Sequence, residues 1–191
     1  VRWLDDGTLE IGACVTMRRV SEEPRIRERF TALAQAAGQV GSHQVRCRAT
    51  IAGNLGNASP CADNAPPLLV FGAKLRIAGK SGETVVPLQG FMRDCKKTAL
   101  ARGEIVTTVI VPPAPAGLRS AFFKIKRVNG HDMALINAAA SFDPASREIR
   151  LAIGSAAPTP LLIGGLQGIC PPGTAVDMVA GRMTEKAFEA I

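Results

Sequence analysis

The chain predicts an α+β fold. Three observations carry that expectation: a helical apolar stripe between residues 26 and 37, a glycine-turned hairpin between residues 74 and 88, and strand-like segments after a proline-rich break. At the start, Asp5-Asp6-Gly7 reads as a turn leading into an alternating strand, Leu9 to Val15. Ser21 then reads as the cap of a helix whose first turn holds Glu22, Glu23 and Pro24, all favoured at a positive helix end. Ile26, Phe30, Leu33, Ala34 and Ala37 recur at helical spacing, give that helix one apolar face and stop at Gly38. The stripe reads as core. Leu68 to Phe71, Lys74 to Ala78 and Glu83 to Leu88 read as strands, with Gly79-Lys80-Ser81-Gly82 turning the last two into a hairpin. A β-branched run, Glu104 to Val111, ends at Pro112-Pro113.

Pro112 to Gly117 marks the expected boundary between a domain over 1–113 and a second over 117–191, because proline lacks the N–H that a central strand requires. Beyond it, Arg119 to Arg127, Ala134 to Phe142 and Glu148 to Ile153 read as three antiparallel strands, turned at Asn129-Gly130 and Asp143-Pro144. A looser Gly- and Pro-rich region from Pro158 to Gly173 precedes a terminal helix that Thr184 is expected to cap. Val1 and Ile191 both read as interruptions of longer units, so the chain reads as an incomplete protein.

Composition narrows the function classes. With 47% hydrophobic and 20% charged residues, and no run of eighteen apolar ones, the sequence reads as globular without membrane insertion. Its net charge of +7 suits nucleic acid, a dinucleotide or acidic partners. Only 4% of residues are aromatic, none is tyrosine, and the basic residues are scattered, which argues against nucleic-acid binding. Five dispersed cysteines without a C-x-x-C pair argue against a disulfide framework or a metal site and point to a reducing cytoplasm. His43 and His131 are the two histidines and no G-x-S-x-G elbow exists, so a self-contained hydrolase is not expected.

The most informative stretch is Cys47 to Asp63, CRATIAGNLGNASPCAD. Gly53 removes Cβ where backbone must approach a ligand, Thr50 and Asn54 bring a hydroxyl and an amide to the same turn, and neighbouring N–H groups can converge on an anion. Asp63, once ionised, only accepts hydrogen bonds, which suits a ribose or adenine donor. The segment therefore reads as a glycine turn for a phosphate-bearing cofactor.

The same stretch resembles the ATIGGN…ASPxxD signature of the FAD-binding subunit of the xanthine dehydrogenase and carbon monoxide dehydrogenase family of molybdenum hydroxylases. Five further blocks follow the family's order: LEIGACVT (9–16), VGSHQVR (40–46), KTALARGEIVTTVIVP (97–112), FFKIKRVNGHDMA (122–134) and LAIGSAAPTP (151–160). The resemblance implies the C-terminal part of a two-subdomain FAD-binding (PCMH-type) domain, followed by a small three-stranded antiparallel domain with helices. The family's other pyrophosphate loop, of A-G-G-T-D type, is not found in the sequence.

On site residues, the resemblance implies that Thr50, Ile51, Ala52, Gly53, Asn54 and Asp63 hold FAD, that Val40 and Val106 touch it, and that Lys124 lies by the flavin with Asp132 in the adjoining loop. By strand parity alone, Lys124 reads as a surface residue with Phe123 and Ile125 inward. Ala52 stands where the family has the first glycine of a pair, an added methyl expected to narrow backbone approach, and Cys47 stands where asparagine is common. The implied function is electron transfer within a heteromeric complex. Electrons pass from a molybdenum cofactor on a large molybdopterin subunit, through [2Fe–2S] clusters on a small iron–sulfur subunit, to FAD here and then to NAD⁺, O₂ or a quinone-like acceptor. Two alternatives remain: a FAD-free scaffolding module of such a complex, and a stand-alone flavin reductase of related fold, which the absence of tyrosine and the FFKIKRVNGHDMA block oppose.

Overall fold

The computed structural model describes residues 1–191 and builds the first sheet from β1 (Arg2–Trp3), β2 (Leu9–Gly12), β3 (Lys74–Gly79), β4 (Gly82–Pro87) and β7 (Ile105–Val111). Their order is β1-β2-β7-β3-β4, antiparallel at every pairing. A bulge shifts the register of β3 and β7 between Arg76 and Ile77, so Thr107 is the extra residue. Strict alternation would put Val106 and Val109 on opposite faces; the bulge resets the parity and both are buried. Between β4 and β7 a short hairpin pairs β5 (Met92–Asp94) with β6 (Lys97–Thr98).

The single helix predicted from Ser21 to Gly38 instead takes in the end of α1 (Met17–Glu22), then α2 (Pro24–Arg29) and α3 (Thr31–Gln39), with the stripe on the last two. Pro24 holds the preceding Glu23 extended, and Phe30 leaves helical geometry again at φ −130°. Ile26, Phe30, Leu33 and Ala37 all remain buried, so the periodicity located the core face but not the two bends. Ser21 is not the cap; Thr16 accepts from Arg19 N–H, while Ser21 Oγ donates to Arg18 O. Phe30 stacks on Trp3 at 6.0 Å between ring centres and meets Phe71 edge-on at 5.0 Å.

Leu68 to Phe71, predicted as a strand, is the second half of helix α6 (Ala65–Val70) and its C-cap Phe71, with prolines in the first turn where a missing N–H costs nothing. A short apolar run carries no period of its own, and here all six helical residues are buried. The reason is position: α6 packs against the second sheet and against α3.

That sheet contains β8 (Arg119–Ile125), β9 (Ile136–Phe142), β10 (Ile149–Gly154) and β11 (Leu161–Ile163), in the order β11-β10-β9-β8. The fourth strand, β11, lies inside the region read as loose. One sheet face carries the cross-strand row Phe122, Ala139 and Ala152, which joins the same 31-residue core cluster as the first sheet. The opposite face carries Leu151, Ile153 and Ile163 in a smaller cluster with Val179 of α7 (Val176–Ala190). Thr184 lies within α7 and donates to Ala180 O rather than capping it. No helix is long and apolar enough to cross a membrane.

Candidate cofactor-binding site

The segment expected to be a glycine turn is a capped helix. After α4 (His43–Arg46), Thr50 bridges to Thr16 of the α1 approach and then caps α5 (Ile51–Gly56), its Oγ1 accepting from Gly53 N–H at 3.0 Å. Gly53 does not have positive φ, so it is not a turn residue. Its value lies in the outward surface: Gly53 is exposed, whereas Ile51, Ala52 and Leu55 are buried. The Ala52 methyl therefore packs into the core and does not narrow the outer approach, contrary to expectation. The first-turn N–H groups of Ile51 and Ala52 have no intrahelical acceptor. Asn54 spends its Oδ1 on Asn64, accepting from Nδ2 at 3.1 Å and from the backbone N–H at 3.4 Å, which leaves its own Nδ2 free to donate.

One residue before Asn64, Asp63 is not the open acceptor that its sequence position suggested. Its Oδ2 accepts from Lys124 Nζ at 2.6 Å and its Oδ1 from Asn137 Nδ2 at 2.9 Å. The pair is sealed, with side-chain exposures of 6% for Asp63 and 1% for Lys124. Burial pushes the Asp63 carboxyl above the ordinary carboxylate range, against the opposing pull of Lys124 and then of Asn137. The parity reading of Lys124 is likewise corrected: Phe123 is 66% exposed, and Lys124 shares the inward face with Phe122. Lys124 Nζ also lies 3.5 Å from Gln39 O at the C-terminal end of α3, where a helix favours a cation.

The structure thus brings together Thr50, Gly53, Asn54, Asp63 and Lys124 along one chain of contacts. Val40 borders them as the half-buried cap of α3, with its carbonyl accepting from Arg46 Nη1 at 3.1 Å. Four candidates stand apart from the outer surface of this group. Val106 is buried on β7 behind α5, Ile51 and Ala52 present only backbone, and Asp132 sits in the β8–β9 connection. Arg127 pins Asp132 at 2.9 Å, and together with the backbone N–H groups of Arg127 and Met133 this pulls its carboxyl down to about 2. Asn137 and Asn64 were not anticipated. The available signal was Asn137 itself, a lone carboxamide in the otherwise apolar run Ala134–Ala140, directly opposite Lys124 across the β8–β9 ladder.

Residues 4–114 match the family described as the FAD binding domain in molybdopterin dehydrogenase. The xanthine dehydrogenase FAD-binding subunit of Escherichia coli O157:H7 is 36% identical over 161 residues, covering 82% of this chain and 55% of the relative. The nicotinate dehydrogenase FAD-subunit of Eubacterium barkeri is 33% identical over 130 residues, covering 65% of this chain and 43% of the relative. Among solved structures, carbon monoxide dehydrogenase from Hydrogenophaga pseudoflava superposes with a TM-score of 0.90 at 26% identity, over 98% of this chain and 66% of that one. Quinoline 2-oxidoreductase from Pseudomonas putida 86 gives 0.86 at 27% identity, over 97% and 65%. The chain spans about half the length of the curated relatives it matches.

Proposed function

Because this chain belongs to the family of FAD-binding domains of molybdopterin dehydrogenases, we propose that it holds FAD as the electron-relay part of a molybdenum hydroxylase complex. The residues fit such a group. Asn54 Nδ2 and the first-turn N–H groups of α5 are donors suited to phosphate or ribityl oxygens, and bare Gly53 lets them be approached. The observation that carries the reading is the contact chain from this donor surface to Lys124, through Asn54, Asn64 and Asp63. It sets the outward donor surface of α5 beside the buried Asp63–Lys124 pair. FAD, when bound, supplies one- and two-electron transfer. Lys124 stands at the border of the site, and Asp63 holds its Nζ in place.

Val40 is proposed to line the approach at the end of α3, and Asp132 to set the charge of the adjoining connection. Residues 1–113 are proposed as the FAD-binding domain and 117–191 as the domain that closes over it. Likeness to the FAD subunits of xanthine and nicotinate dehydrogenases supports work within a dehydrogenase complex; the proposed partners are a large molybdopterin subunit and a small [2Fe–2S] subunit, and the proposed acceptor is NAD⁺, O₂ or a quinone-like compound. The test is to purify the whole protein with its co-purifying chains, record the visible spectrum, and repeat with Gly53→Val. The parent shows the flavin bands and the variant loses them, because two branched methyls occupy the approach. A colourless parent that takes up no added FAD overturns the reading.

A further inference from the structure

Lys124, Asn137 and Gly154 stand in one row across three strands, each directly opposite the next in the β8–β9 and β9–β10 ladders. The row lies two residues further along the same sheet face as Phe122, Ala139 and Ala152, and therefore points into the protein. All of it converges on the loop that carries Asp63. Asn137 is 1% exposed and gives its Nδ2 to Asp63, while its Oδ1 is left without a hydrogen-bond partner. That oxygen sits where a Gly154 side chain would begin: a Cβ there would lie 2.2 Å from Asn137 Oδ1 and 3.3 Å from Pro60 O. Immediately after it, Ser155 is held at φ +70°, with its N–H donating to Pro60 O at 2.9 Å and its Oγ to Ala134 O at 3.3 Å. A non-glycine residue in the left-handed region persists only when its surroundings fix it.

We propose that Asn137 is a positioning residue for the cofactor site, and that Gly154 is the vacancy that admits it: Asn137 fixes the Asp63 carboxylate so that Lys124 is held at the site's border. The inference rests on the reading of these residues as a FAD site, and it adds to that site two residues which touch no cofactor. Its physical content is a division of acceptors. Asp63 has two oxygens; Asn137 occupies one, so the other is left to Lys124 in a single geometry. Without Asn137 the carboxylate can turn, and the Lys124 ammonium is no longer confined against Gln39 and Asp63. Any side chain at 154 has the same effect by displacing Asn137, although it changes no hydrogen-bonding group.

The test uses Asn137→Ala, Gly154→Ala and the double variant in the whole protein. Two readouts are taken: acylation of Lys124 by an amine reagent, read by mass spectrometry without cofactor, and the FAD dissociation constant from flavin fluorescence. Lys124 is shielded in the parent and becomes labelled in both single variants, while FAD binding weakens by about tenfold, the loss of one charge-assisted hydrogen bond. The double variant matches Asn137→Ala alone, because the alanine at 137 clears the room that the methyl at 154 needs. A single cooperative melt in each variant, with its midpoint well above the labelling temperature, separates positioning from unfolding. Lys124 shielded in both single variants, or losses that add in the double variant, overturns the proposal, as does labelling of Lys124 with parent-like FAD affinity. A parent that binds no FAD instead removes the function on which it rests, and the labelling pattern still decides whether the row holds Lys124.

Discussion

Two aspartates, Asp63 and Asp132, make ion pairs of opposite character. Asp63 faces Lys124 inside the protein, where neither side chain meets water, and its carboxyl is pushed up. Asp132 lies beneath an arginine that is itself 67% exposed, receives two backbone N–H groups, and is pulled down to about 2. The residue type and the distance class are the same, so neither fixes the outcome. What differs is whether desolvation or donor supply dominates. An ion pair read from a sequence therefore has no sign of its own until its depth is known.

Deletion of one partner breaks the comparison most sharply. Lys124→Met leaves the Asp63 carboxylate buried and unpaired, which costs about 3–5 kcal/mol in urea unfolding. The matching change, Arg127→Ala, lowers the unfolding midpoint far less, since the hairpin keeps its backbone donors and the guanidinium was in solvent. Equal losses at the two positions would sink the distinction. Replacing both members of the inner pair, Asp63→Leu with Lys124→Met, recovers most of the single-variant loss, because no uncompensated charge remains.

Carboxyl titration followed by NMR sharpens the same contrast. Asp132 adds stability above its ordinary value of 3.8 and loses that contribution as the pH falls to about 2. Asp63 has the reverse sign: its folded state takes up a proton above 3.8, so this group's contribution declines as the pH rises through that range. Titration of Asp132 above Asp63 would refute both assignments. The smallest effect is expected at Gly53→Ala. The new Cβ comes within 3.0 Å of Thr50 Oγ1 and disturbs a cap, at a cost of about 1 kcal/mol, while the gain in helix propensity is about the same size. Stability stays near the parent's, and a large change in thermal midpoint would show that the cap is misassigned.

The sequence made the strands more legible than the helices. β2, β3, β4 and β7 to β10 follow from alternation and turn chemistry, because those signals are local. The break at Phe30 has no local cause in sequence; it is where the ring turns in to meet Trp3 and Phe71. The misreading of α6 has the same root, since a helix buried on every side shows no polar face. Within the site, Thr50, Gly53 and Asn54 were legible as one block, whereas the Asp63–Lys124 pair joins residues 61 positions apart in sequence. Only the ladder that sets Asn137 opposite Lys124 makes that meeting visible.

The shared interior of the two sheets has a consequence for how the protein comes apart. Phe122, Ala139 and Ala152 belong to the same continuous cluster as Leu9, Val109 and Leu75, with α6 packed on the second sheet and against α3. Neither half can then melt while the other stays intact, since losing one strips the covering from its neighbour's apolar side. The proline passage at 112–117 is a hinge in the covalent chain without being a seam in its cooperativity.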